Sequence, residues 1–176
     1  MAKDWDEIRN LAVEYAEDNI NNRKMNCSES VFEALIRSGA IDLSVEAVAY
    51  ATGFGGGGGG VGLICGALAS AILANSIVYG RKDPPSAVDR MELKNRYYKR
   101  YNNLVSDFEK IAGSGMCCEI INAFPEGYND AQTRANCIRI VTKAAGLAVD
   151  YLRKDAEEAA NLDYVRDVVR INNWFD

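Results

Sequence analysis

The 176-residue sequence contains no histidine. That excludes a histidine general base, histidine-ligated haem and any zinc site built on imidazole. The soft ligands that remain are thiolates and methionines. Neither a Cys-x-x-Cys nor a Cys-x-x-Cys-His motif occurs, and there is no repeat of fixed period. A net charge of -5 leaves no basic footprint for nucleic acid. The cluster Lys94, Arg96, Lys99 and Arg100 reads as a local, solvated helix face. The N-terminus, Met1 to Glu7, is charged and lacks the apolar core of a secretory signal. The longest uncharged stretch, Val61 to Val78, approaches the length of a membrane span. It is rich in Gly, Ala and Ser, with Asn75 and Ser76 inside it, so it reads as a buried core helix and no membrane is expected. Five cysteines, an odd number without a signal, point to a reducing compartment and a cytoplasmic location.

What is present is helical. A chain of this length makes one domain and can bury about two-thirds of its unfolded surface. Apolar spacing of three and four runs through Trp5, Ile8, Leu11, Ala12, Tyr15 and Ala16, predicting a helix from Asp4 to Asn21. Asn26 caps a second helix, with Glu29 as capping-box partner and Gly39 as its stop. Ser44 caps a short third. Further helices are expected from Gly62 to Tyr79, from Ser86 to Ala112, after a Ser114 cap, and from Asp130 to Lys154. A last amphipathic segment holds Leu162, Val165, Val168, Val169 and Ile171 before Trp174 and Phe175. No run of four or more residues alternates, so no sheet is expected. The fold class is therefore all-α, a bundle of about six to eight helices with a glycine-rich loop. Residues 1–154 form the cysteine-containing bundle and 155–176 a C-terminal extension.

The chemistry-bearing residues are Cys27, Cys65, Cys117, Cys118 and Cys137. Four of them, Cys27, Cys65, Cys117 and Cys137, open or join apolar stripes on separate helices, which points them into the bundle. Cys118 follows Cys117 directly and so faces another way, as a spare or alternative ligand. Cys27, Cys65 and Cys117 fall in or near first helical turns, where free N–H groups and the dipole are expected to lower a thiol pKa. Six consecutive glycines, Gly55 to Gly60, precede Cys65. They are not a Walker loop, because no Gly-Lys-Ser/Thr follows, nor a dinucleotide fingerprint. Side-chain-free backbone at Gly57, Gly58, Gly59, Gly60, Gly62 and Gly66 is instead expected to wall a cofactor and aim N–H groups at it.

The ordered segments Asn26-Cys27-Ser28-Glu29-Ser30-Val31, Gly53-Phe54-Gly55 through Cys65-Gly66-Ala67-Leu68, Gly113 through Ile120, and Cys137-Ile138-Arg139-Ile140-Val141 carry a resemblance. The chain resembles the C-GCAxxG-C-C family of redox-active proteins from about Asp4 to Leu152. Ser70 stands where that family's motif has its last glycine, and Cys118 where it usually has a basic residue. The resemblance implies an all-α fold and a cysteine-ligated centre. Related domains in split-Soret cytochromes carry haem and iron–sulfur centres. The haem part does not transfer to a chain without histidine.

The first functional expectation is a redox protein that binds an iron–sulfur cluster (2Fe-2S or 4Fe-4S), or another metal such as zinc, through Cys27, Cys65, Cys117 and Cys137. It would transfer electrons to a partner protein. A thiol–disulfide protein is the second, and a small-molecule or partner-binding helical domain with inert cysteines the third. The acidic chain and amphipathic C-terminus are compatible with a homodimer.

Overall fold

Local sequence signals set most helix boundaries. The computed structural model describes residues 3–82 and 92–167. Asp4 accepts from the Asp6 and Glu7 N–H groups and starts α1, Trp5–Asn21. Asn26 and Glu29 form a complete capping box at the head of α2, Cys27–Arg37. Short 3-10 turns, Val45–Tyr50 and Thr52–Phe54, lead into α3, the single turn Gly55–Gly58. Then follow α4, Gly66–Tyr79, a π-helical turn, Leu93–Tyr98, and α5, Lys99–Ala112. The chain finishes with α6, Cys117–Asn122, a 3-10 turn, Gly127–Asn129, α7, Ala131–Leu152, and α8, Ala156–Ala160. Among the described residues there is no strand, only an isolated antiparallel bridge between Ile64 and Met116. The protein is an all-α bundle.

Helices α1, α2, α4 and α5 all pack on α7. The seams are alanine-rich: Ala12 and Ala16 of α1, Ala71 and Ala74 of α4, and Ala144, Ala145 and Ala148 of α7 are all buried. Small side chains let the backbones approach closely, and Phe32, Leu35, Leu68, Leu104 and Phe108 fill the space between. Helix α4 carries no charged residue and buries Gly66 to Ala71, Ala74 and Asn75 inside the bundle. No described helix is long and apolar enough to cross a membrane.

Several expectations are corrected. The fourth helix begins at Gly66, not Gly62. Residues 62–65 pair with a second loop instead, an arrangement too short to show as alternation. The glycine stretch is irregular, as expected of a glycine-rich loop: the single turn Gly55–Gly58 carries Gly56 and Gly57 at φ of 64° and 73°. These are left-handed values that glycine adopts at little cost. Ser114 is not the N-cap of α6; Met116 holds that place. Arg100, read as part of a solvated face, is 2% exposed. Its guanidinium donates to the carbonyls of Tyr151, Lys154 and Asp155 and stacks on Tyr79 at 3.8 Å. Sequence spacing cannot register this, because the acceptors lie at the end of α7 and in the link to α8, about fifty residues away. Leu162 and Val165 lie beyond α8 in irregular chain. The expected positions Ser86, Val168, Val169, Ile171, Trp174 and Phe175 lie outside the described residues.

Candidate functional site

Two loops cross at the head of α4 and fix two of the cysteines. The Cys65 N–H donates to the Gly115 carbonyl at 2.8 Å, the Cys117 N–H to Leu63 at 2.6 Å, and the Cys118 N–H to Gly62 at 2.9 Å. These bonds lay the segment 62–65 antiparallel to 115–118, so Cys65 and Cys117 become neighbours across a short ladder. Cys65 is the N-cap of α4, and Cys117 opens α6.

Cys27 enters from α2. The Asn26 cap also donates through Nδ2 to the Thr52 carbonyl at 3.2 Å, and the Ser28 hydroxyl donates to Ala51 at 2.7 Å. The start of α2 is thereby held against the chain leading into the glycines. Ser70, in place of the family motif's last glycine, is fully buried, and its hydroxyl donates to the Ser28 carbonyl at 2.7 Å. The serine is accommodated as a second tie between α2 and α4.

Glycine is required where these pieces meet. A Cβ on Gly66 would lie 2.7 Å from the Cys27 sulfur and 2.8 Å from the Phe54 carbonyl oxygen. A Cβ on Gly57 would lie 2.8 Å from the Cys117 Cβ. Gly62 has φ of +86°, and its Cβ position is 3.0 Å from the Cys118 Cβ. Gly58, Gly59 and Gly60 are exposed, with nothing against them. Of the glycines expected as a wall, none lines the four-cysteine cavity: Gly57 and Gly66 back Cys117 and Cys27, Gly62 backs Cys118, and only the neighbouring Gly56 reaches the cavity.

Cys27, Cys65, Cys117 and Cys137 line one cavity of about 60 Å³. A water needs only about 10–15 Å³ on this measure, so several atoms fit. Ile20, Ile120, Ile121, Ile140 and Val141 supply apolar walls, and the exposed Tyr128 also lines the cavity. Cys118 does not line the cavity. Glu119 is exposed and accepts from Ser114 at 2.5 Å. All five thiols are free. Among the described residues, no three cysteine or carboxylate side chains converge closely enough to hold one metal ion. The four sulfurs surround a space instead of a point.

The electrostatics reverse one expectation. Burial pushes Cys65 up to about 11, with the neighbouring Cys27 adding to it, while the Ala67 and Leu68 N–H groups pull the other way. Helix-start donors do reach that sulfur, but desolvation outweighs them. Burial and then Cys27, Cys137 and Cys118 raise Cys117 to about 11. Cys137 rises to about 11 through burial and then Cys65 and Cys27. The Tyr128 hydroxyl is also raised, first by desolvation and then by Cys137, Cys27 and Cys117.

A family model described as "Putative redox-active protein (C_GCAxxG_C_C)" matches residues 25–151, well over half of the chain. The chain belongs to that family. The match runs from two residues before Cys27 to past Cys137, so it takes in all four cavity cysteines of this redox-active family member. No curated protein and no solved structure matches it.

Tyr128 and Gly56 were not singled out by sequence reading. Tyr128 sits in a turn that reads only as punctuation between helices. Its one sequence signal is its place just ahead of the helix that carries Cys137.

Proposed function

We propose that Cys27, Cys65, Cys117 and Cys137 hold an iron–sulfur cluster and that the protein transfers electrons. The observation that supports this most directly is four free thiols, from four separate elements, around one small apolar cavity. Four thiolates are the donor set of two-iron and four-iron clusters. A single zinc ion draws its sulfurs to about 2.3 Å from one point, and no such convergence is present among the described residues. A cluster spreads its thiolates over several irons, which suits sulfurs placed around a space. When bound, it would supply one-electron transfer.

The chain's own residues do the remaining work. Ile20, Ile120, Ile121, Ile140 and Val141 keep water from the sulfurs. The α4 N–H groups of Ala67 and Leu68 reach Cys65, and hydrogen bonds to ligating sulfur tune a cluster's potential. Gly57 and Gly66 let backbone approach where a side chain would displace Cys117 or Cys27. The thiols must release protons to become ligands, so loading is favoured by higher pH. A redox partner protein and a homodimer belong to the same reading; a monomeric mass in solution removes the dimer.

Thiol–disulfide exchange fits less well. It needs a thiolate near neutral pH, and three of the four cavity thiols are raised to about 11.

The test is anaerobic purification and reconstitution, followed by iron and sulfide analysis and a visible spectrum. We expect bound iron and sulfide in the wild type and in Cys118→Ser. Serine at position 27, 65, 117 or 137 should lower occupancy sharply. A colourless, metal-free wild type after reconstitution removes the proposal.

A further inference from the structure

Eleven of the twelve residues that line the four-cysteine cavity are buried or half-buried; Tyr128, 64% exposed, is the twelfth. Ile20, Asn26, Cys27, Gly56, Ile121 and Cys137 are half-buried, and Tyr128 is the one lining side chain that stands mostly in solvent. Its mounting is light. Tyr128 sits in the 3-10 turn Gly127–Asn129, between α6 and α7. Gly127 precedes it with φ of +56°, and the turn's Asn129 and Asp130 N–H groups donate at 3.3 Å, the long end of the hydrogen-bond range. Its hydroxyl makes no hydrogen bond among the described residues. The other walls are firmer. Cys65, Cys117, Ile120 and Ile140 are buried, and the loops bearing Cys65 and Cys117 are tied by the Ile64–Met116 bridge.

We infer that Tyr128 is the access-controlling residue of the four-cysteine site. Its ring covers the cavity mouth and selects by size what reaches the sulfurs. Metal ions, sulfide and small oxidants or alkylating agents pass when the Gly127–Asn129 turn opens. Aromatic or bulky reagents are held out by the ring. The hydroxyl is not needed for this, because no hydrogen bond anchors it. The inference deepens the site reading above, since size selection at these sulfurs matters most if they hold a metal centre.

The test uses the full, reduced, metal-free chain, so its outcome is separate from whether a cluster assembles. Thiol modification is followed by mass spectrometry at Cys27, Cys65, Cys117 and Cys137, with iodoacetamide as small reagent and an aromatic disulfide as bulky one. Tyr128→Ala should speed the bulky reagent at the buried Cys65 and Cys117 by about tenfold or more, because modification of buried thiols follows local opening. The small reagent should gain much less. Tyr128→Phe should match wild type, as should Tyr50→Ala, since Tyr50 is 69% exposed and does not line the cavity. Equal rates for Tyr128→Ala and wild type overturn the inference, as does a Tyr128→Phe variant as fast as Tyr128→Ala. If Tyr128→Ala loses its helical circular dichroism, Tyr128→Trp provides the second arm. A larger ring should slow the bulky reagent, and an unchanged or faster rate overturns the inference.

Discussion

A thiol set among other thiols in an apolar cavity holds its proton. Cys65, Cys117 and Cys137, each raised to about 11 from an ordinary value near 9, are neutral in the folded, metal-free chain at physiological pH. The consequence for stability has a definite sign. Between the two values the unfolded chain has released these protons and the folded chain has not, so rising pH favours unfolding. The contribution is fully present below about pH 9 and is lost as pH rises through about 11. For a thiol as buried as Cys65, 8% exposed, it is on the order of 2 kcal/mol. We predict that the urea midpoint of the metal-free chain falls across this window and that Cys65→Ser flattens the fall. A slope unchanged by the substitution would contradict it. The inward direction of the four cysteines and the separate place of Cys118 were legible from apolar phase. The direction of their pKa shift was not, because desolvation depends on neighbours that a single stripe does not reveal.

At the scale of elements, the meeting of α2 and α4 decides whether the site exists. Gly66 is the first residue of α4, and a methyl group there would stand 2.7 Å from the Cys27 sulfur and 2.8 Å from a backbone oxygen. The sulfur can rotate, but the Phe54 carbonyl cannot move without shifting the glycine loop. Overpacking of this kind costs about 1–3 kcal/mol. Gly66→Ala should therefore destabilise by that amount in urea unfolding and lower iron occupancy after reconstitution. Gly53→Ala, where no atom lies within 4 Å, should do neither. Equal stability of the two variants would refute the steric argument. The Asn26 cap was legible because it is local, side chain to nearby backbone, and the helix starts near Asp4 and Asp130 were legible from apolar spacing. The late start of α4 was not. Residues 62–65 are claimed by hydrogen bonds to 115–118, and that competition is settled some fifty residues away in the chain.

At the scale of the whole molecule, Arg100 ties three parts of the bundle at the far end of α7. Its guanidinium reaches Asn75 of α4 and the carbonyls of Tyr151, Lys154 and Asp155, while its own helix is α5. Removing it strands two buried acceptors, the Tyr151 carbonyl and the Asn75 amide oxygen, each costing about 1–3 kcal/mol, and two part-buried carbonyls besides. We predict that Arg100→Ala lowers unfolding stability by more than about 3 kcal/mol. Arg96→Ala, whose side chain is 58% exposed in an ion pair with Glu92, should stay within about 0.5 kcal/mol. Similar losses in both would show that Arg100 is not the tie described. By itself the sequence determined the helical class, the capped helix starts, the four inward thiols and the exclusion of imidazole chemistry, because these follow from composition and from contacts within a few residues. Only the tertiary structure decided that the four cysteines share one cavity, that Gly56 reaches it while Gly57 and Gly66 press on Cys117 and Cys27 and Gly58 to Gly60 touch nothing, and that Tyr128 joins its lining. Those are distances between segments remote in the chain, set by how the helices pack.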